Sequence, residues 1–137
     1  DQNCAYCMEG ELVAKFGIKI CELETSKVYL FKEQSHPGRC IVAHKKHVGD
    51  MNELTAEERA AYFEDVARVA RAIMKAFNPD KVNYGAYGDT GHHLHFHLCP
   101  KYKDEYEWGG VFLMNPDKKY LTDEEYAAMI EKIKANL

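Results

Sequence analysis

The sequence predicts an α+β fold: a mostly antiparallel sheet with one long helix and a C-terminal helix. Three observations carry this. Strand-like segments come in runs and do not alternate one by one with helices. One long stretch after Thr55 has an apolar stripe at helical spacing. Near the end, Thr122 opens a segment with the same start signal as Thr55. With 137 residues, 46% hydrophobic and 29% charged, the chain reads as one domain over residues 1–137, long enough for a real core.

The elements follow in order. Gly17 to Leu23 alternates, with Ile18, Ile20 and Glu22 on one face, and the β-rich Ser26 to Phe31 pairs with it as a hairpin. Gln34 to Gly38 is loop chemistry. Arg39 to Ala43 is a short β-branched strand leading into His44-Lys45-Lys46-His47. Thr55-Ala-Glu-Glu58 is a capping box: the Thr hydroxyl serves the Glu58 backbone and the Glu58 carboxylate reaches back. The helix runs to about Phe77 with Tyr62, Phe63, Val66, Val69, Ala70, Ile73 and Phe77 inward, and Asn78-Pro79-Asp80 stops it. Lys81 to Ala86 reads as a strand and Tyr87 to Gly91 as a turn. The next strand carries three histidines and ends at Pro100. Thr122-Asp-Glu-Glu125 caps the last helix, with Tyr126, Met129, Ile130 and Ile133 inward. Between them lies the only tryptophan, Trp108, beside Gly109-Gly110.

Composition excludes several classes. A net charge of −4 speaks against a broad nucleic-acid or acidic-membrane surface. No apolar run approaches the roughly 20 residues of a membrane span. The start, Asp1-Gln2, has no basic-then-apolar segment of a secretory signal, and the missing initiator Met marks a processed or trimmed start. The five cysteines, Cys4, Cys7, Cys21, Cys40 and Cys99, are odd in number and read as reduced and cytoplasmic. Cys21, Cys40 and Cys99 sit in apolar stretches as small hydrophobes.

The run His93-Leu94-His95-Phe96-His97-Leu98 is where chemistry concentrates. Strand side chains have a period of 2, so the three imidazoles share a face and Leu94, Phe96 and Leu98 face a core. From a rise of roughly 3.3 Å per residue the row spans about 13 Å. Three readings are open. It is an incidental polar face, a metal site using imidazoles at alternate positions, or a nucleophilic centre. In the last case the flanking histidines bind anionic oxygens or protonate a leaving group. The turn Gly88-Asp89-Thr90-Gly91 abuts the row and is able to aim backbone N–H groups and a hydroxyl at a phosphate. Cys4-x-x-Cys7 lacks the βαβ setting of a redox pair. As half of a zinc site it needs two more ligands, for which His47 and the histidine row are available.

His93-Leu-His95-Phe-His97-Leu98-Cys99 resembles the histidine triad motif, His-φ-His-φ-His-φ-φ, of the HIT family of nucleotide hydrolases and transferases. The resemblance extends to Cys4-x-x-Cys7, the Phe31-x-Glu33 strand end, Lys45-Lys46-His47, the long helix and the glycine turn. It implies a HIT-like α+β fold and a homodimer through the long helix and sheet. It implies that His95 attacks the α-phosphorus of a nucleoside phosphoramidate or dinucleoside polyphosphate, giving a covalent nucleotidyl-histidine that water cleaves. His97 then donates to the phosphate or leaving group. Thr90, Asp89 and the Gly88 backbone contact the substrate, Asn83 is a phosphate-contact candidate, and Glu33 holds ribose hydroxyls. No catalytic metal is expected. Structural zinc on Cys4, Cys7, His47 and His93 holds the triad strand in place.

The chain departs from the family pattern where Asp89 replaces the usual Gln or Asn and His44 the usual Pro. The short loop from Glu33 to Gly38 bears on the ribose contact. His92 reads as solvent-exposed, and Trp108 either packs or reaches the site. Two rival functions remain: a non-catalytic nucleotide-binding zinc protein, and a metal-dependent hydrolase using all three histidines.

Overall fold

The computed structural model describes residues 1–137. Two short helices, α1 (Ala5–Met8) and α2 (Glu11–Ala14), precede β1 (Gly17–Glu22), β2 (Ser26–Phe31) and β3 (Cys40–His44). The long helix α3 (Ala56–Phe77) follows, then β4 (Lys81–Gly85), β5 (His95–Lys101) and α4 (Asp123–Lys134). The five strands form one antiparallel sheet in the order β1-β2-β3-β5-β4. The histidine strand β5 therefore lies inside the sheet and β4 forms an edge.

The expected α+β class is what the structure shows. Both capping boxes are formed, Thr55 with Glu58 and Thr122 with Glu125. Asn78 closes α3 in the left-handed region at φ 50°, just before Pro79. One sheet face carries Val28, Leu30, Val42 and Leu98 against Tyr62, Val66, Val69 and Ile73 of α3 and Tyr126 and Ile133 of α4. Burying such side chains contributes about 1.5–3 kcal/mol each. On the opposite face Tyr29, Phe31, Ile41 and Ala43 meet Tyr6 and Val13 of the short helices. His95 pairs with Ala43 and His97 with Ile41, so both histidines belong to this second face.

Three local readings are corrected and two short elements are added. A bulge between Lys19 and Cys21 breaks the β1 alternation, leaving Glu22 exposed while Cys21 packs on the core. Phe63 is 37% exposed and meets Phe96 edge-on, at the margin of the stripe. The first fourteen residues carry two helical turns that no periodicity marks, because each is only four residues long. β5 begins at His95, so His93 lies in the turn before it. No helix is long and apolar enough to cross a membrane.

Candidate active site and metal centre

A cavity of about 850 Å³ opens over the second sheet face. His93, His95 and His97 all line it. One wall is the N-terminal segment with Tyr6 and Phe16, and another is the rim from Val111 to Asn115. Ala43 lies opposite His95 in the ladder, so a small side chain sits beside the central imidazole.

His95 is 7% exposed and its ring lies 5.0 Å from that of Tyr6. Its Nδ1 is 2.7 Å from the His93 carbonyl oxygen. A carbonyl only accepts, so Nδ1 carries the proton and Nε2 keeps its lone pair. Burial pushes His95 below the ordinary histidine value, which favours this neutral form. A buried neutral imidazole with one nitrogen anchored and the other free is equipped for nucleophilic attack. His97 is 3% exposed, stands edge-on to Phe31, and has Nδ1 3.1 Å from a guanidinium nitrogen of Arg39.

The other expected residues divide. Asp89 and Thr90 line the cavity at its exposed rim, with Gly91. Gly88 does not line it and packs beside the Gly49 carbonyl. Asn83 pairs with Cys99 in the ladder, on the face of the histidines but outside the cavity lining. Glu33 does not reach the cavity either. It is 2% exposed, and its carboxylate accepts from Ser35 N and Oγ (2.9 and 2.7 Å), Lys118 N (2.8 Å) and Lys119 N (2.9 Å). Burial works to raise its pKa, and these hydrogen bonds outweigh it and hold the carboxyl below its usual value. In this structure the acid latches the C-terminal segment to the loop after β2. Trp108 is 43% exposed and outside the lining, while the exposed His92 stands at the rim.

Cys4, Cys7, His47 and His93 converge, their ligand atoms all within 4.8 Å of one another. Cys4 is the N-cap of α1 and accepts from Cys7 N, so the C-x-x-C spacing brings both sulfurs to one helix end. Cys4 Sγ lies 3.3 Å from His93 Nδ1, Cys7 Sγ 3.2 Å from His47 Nδ1, and the two Nδ1 atoms 3.1 Å apart. Ligand atoms around a tetrahedral zinc stand about 3.3–3.8 Å from one another, and four of the six separations here, 3.1 to 3.6 Å, lie close to that spacing. The His93 Nε2–H donates to the His44 carbonyl at 2.6 Å, leaving Nδ1 unprotonated among electron-rich atoms. His93 Nδ1 thus faces the thiols while His95 Nδ1 faces a carbonyl. The three rings therefore face different partners, and only His93 belongs to the Cys/His cluster.

The sequence reading missed Arg39, Tyr6, Phe16 and Phe112. A charged residue opening a β-branched strand was the available signal for Arg39. The aromatic residues gave none, since they come from distant segments.

Fold and site together define the class: an antiparallel sheet presenting alternate histidines to one cavity. The chain belongs to the HIT family, whose HIT domain model matches residues 17–104. An adenosine 5'-monophosphoramidase of Schizosaccharomyces pombe is 26% identical over 144 residues, covering 98% of either chain. A histidine triad protein from Sinorhizobium meliloti has the same fold, with a TM-score of 0.85 and 24% identity over 93% of this chain and 95% of that one. A zinc-bound histidine triad family protein from Mycobacterium smegmatis gives a TM-score of 0.68 and 20% identity over 98% of this chain and 95% of that one.

Proposed function

We propose that this protein is a nucleotide hydrolase or nucleotidyl transferase acting at the α-phosphate of a nucleoside phosphoramidate or dinucleoside polyphosphate. The observation that carries the reading is the His95 ring, anchored through Nδ1 and left with a free Nε2 lone pair in a cavity. Nε2 attacks the α-phosphorus, a P–N bond forms, and the bond to the amine or polyphosphate breaks. Water then attacks the same phosphorus and the P–Nε2 bond breaks, releasing a nucleoside monophosphate and restoring His95. Splitting one displacement into two is the benefit of a covalent step. Thr90, Asp89 and the backbone after Gly88 stand at the cavity rim, where the leaving group or phosphate is met. His97 supplies an N–H donor from the adjacent ladder position. The name of the fission-yeast relative supports the hydrolase class.

Zinc on Cys4, Cys7, His47 and His93 would act structurally, tying α1 to the segment that enters β5. The zinc-bound mycobacterial neighbour supports that reading. Five unpaired cysteines suit a reducing cytoplasm, and the net charge of −4 suits neither nucleic acid nor acidic membrane. The edge strand β4 and the outer face of α3 expose Tyr84, Met74 and Phe63, a surface suited to homodimerisation. Light scattering at the mass of two chains tests the dimer. His95→Ala tests the mechanism: nucleotide release stops while the circular dichroism spectrum is kept, and equal turnover in that variant sinks it.

A further inference from the structure

Arg39 is the largest fully buried side chain of the molecule. It enters through Gly38, whose φ of 94° and close approach to the Phe77 ring leave no room for a Cβ. The guanidinium lies over Phe31 at 4.1 Å and over Phe112 at 4.9 Å. It donates to the Leu113 and Met114 carbonyls, at 3.1 Å each, and contacts the Met114 sulfur. Its remaining directed contact is His97 Nδ1, at 3.1 Å. None of these partners is a carboxylate, and Nε has no partner at all. A buried cation without a counter-ion is costly, and two aromatic faces offset only part of that cost.

We infer that Arg39 is a positioning residue that acts through His97, locking it as the Nε2–H tautomer so that it presents one fixed N–H donor beside His95. Guanidinium nitrogens donate and never accept. Nδ1 of His97 must therefore be unprotonated, and the ring proton sits on Nε2. An imidazolium would set an N–H against an N–H and a cation against a cation. Burial and the neighbouring Arg39 charge both push His97 down, to about 2, which holds it neutral. His95 is held in the opposite tautomer by the His93 carbonyl. Two rings 5.3 Å apart, otherwise the same chemical group, are thereby made unlike: one offers a lone pair and the other a hydrogen. Because the same guanidinium grips Leu113 and Met114, it also ties the cavity rim to the triad.

The consequence for turnover rests on the proposed function, whereas the tautomer does not. The test begins with the unmodified protein labelled with ¹⁵N at histidine. Long-range proton–nitrogen correlation spectra are recorded from about pH 5 to about pH 8, the range over which an ordinary histidine titrates. His97 is expected to stay Nε2-protonated and uncharged throughout. An Nδ1–H tautomer, or an imidazolium appearing in that range, overturns the inference. Arg39→Lys keeps a donor-only cation and should keep the tautomer. Arg39→Met should release it to a mixture and slow single-turnover nucleotide release by roughly 10²-fold, as loss of one aligned donor does. A slowed Arg39→Met variant with the His97 tautomer unchanged also overturns the inference. If Arg39→Met fails to fold, the unmodified protein and Arg39→Lys still decide. An unmodified protein with the expected tautomer but no turnover supports the inference and defeats the functional reading.

Discussion

The carbonyl oxygen of His93 holds Nδ1 of His95 at 2.7 Å. His93 thus does two things at once: its ring faces Cys4, Cys7 and His47, and its backbone orients the next histidine. A metal bound by the first ring would stiffen the carbonyl that aims the second. The Cys/His cluster and the His95 ring are thus coupled by a hydrogen bond as well as by the chain and the shared Tyr6 ring.

His95→Ala should lower nucleotide release by roughly 10³- to 10⁶-fold, because a covalent route disappears with its nucleophile. Zinc content in that variant should stay unchanged, since His95 is outside the cluster. Parallel kinetics and elemental analysis check both halves.

The purified protein should carry about one zinc per chain, and Cys4→Ser with Cys7→Ser should lose it. Losing a ligand that binds only the folded state lowers stability by mass action, so Tm should fall by roughly 5–10 °C. Metal that survives loss of both cysteines but not of His95 would restore the metalloenzyme alternative.

Glu33→Gln should destabilise the fold by about 2–3 kcal/mol, because a buried carboxylate with four hydrogen bonds loses charge assistance. Denaturant titration measures this. KM for a nucleotide substrate should stay near that of the parent, whereas a large rise in KM with stability intact would show a ribose contact.

Acid should destabilise the protein through His97. Its folded pKa, about 2, lies below the ordinary 6.5 of an unfolded histidine. The unfolded chain therefore binds a proton that the folded one refuses, and stability falls as pH drops below 6.5. The slope approaches about 1.4 kcal/mol per pH unit for this one group. Denaturation midpoints measured between about pH 7 and about pH 5 check the sign, and His97→Asn should flatten the curve.

Asp89→Asn should favour dinucleoside polyphosphates over singly charged phosphoramidates. The exposed carboxylate at the rim repels the more highly charged substrate more strongly. A ratio change of roughly two- to fivefold, shrinking at high salt, is expected for an exposed charge. Competition between the two substrates at low and high ionic strength measures it.

The succession of the longer elements along the chain was legible because each of them carries its own local signal. Thr55 with Glu58 and Thr122 with Glu125 announce helix starts, and alternation announces the strands. The four metal-cluster residues were legible through resemblance. The structural contacts of Glu33 were not legible because its partners, the Lys118 and Lys119 amides, lie 85 and 86 residues away. Arg39 was missed for the same reason: its partners Phe112, Leu113 and Met114 are set beside it only by chain return.

By itself, the sequence determined that three histidines alternate and that His95 and His97 share a face, since strand periodicity is a local property of the backbone. It said nothing about which nitrogen of each ring bears a proton. That was decided by tertiary structure alone, because the tautomer depends on what each Nδ1 meets. His93 Nδ1 meets thiols, His95 Nδ1 a carbonyl and His97 Nδ1 a guanidinium, and only folding brings those three partners into place.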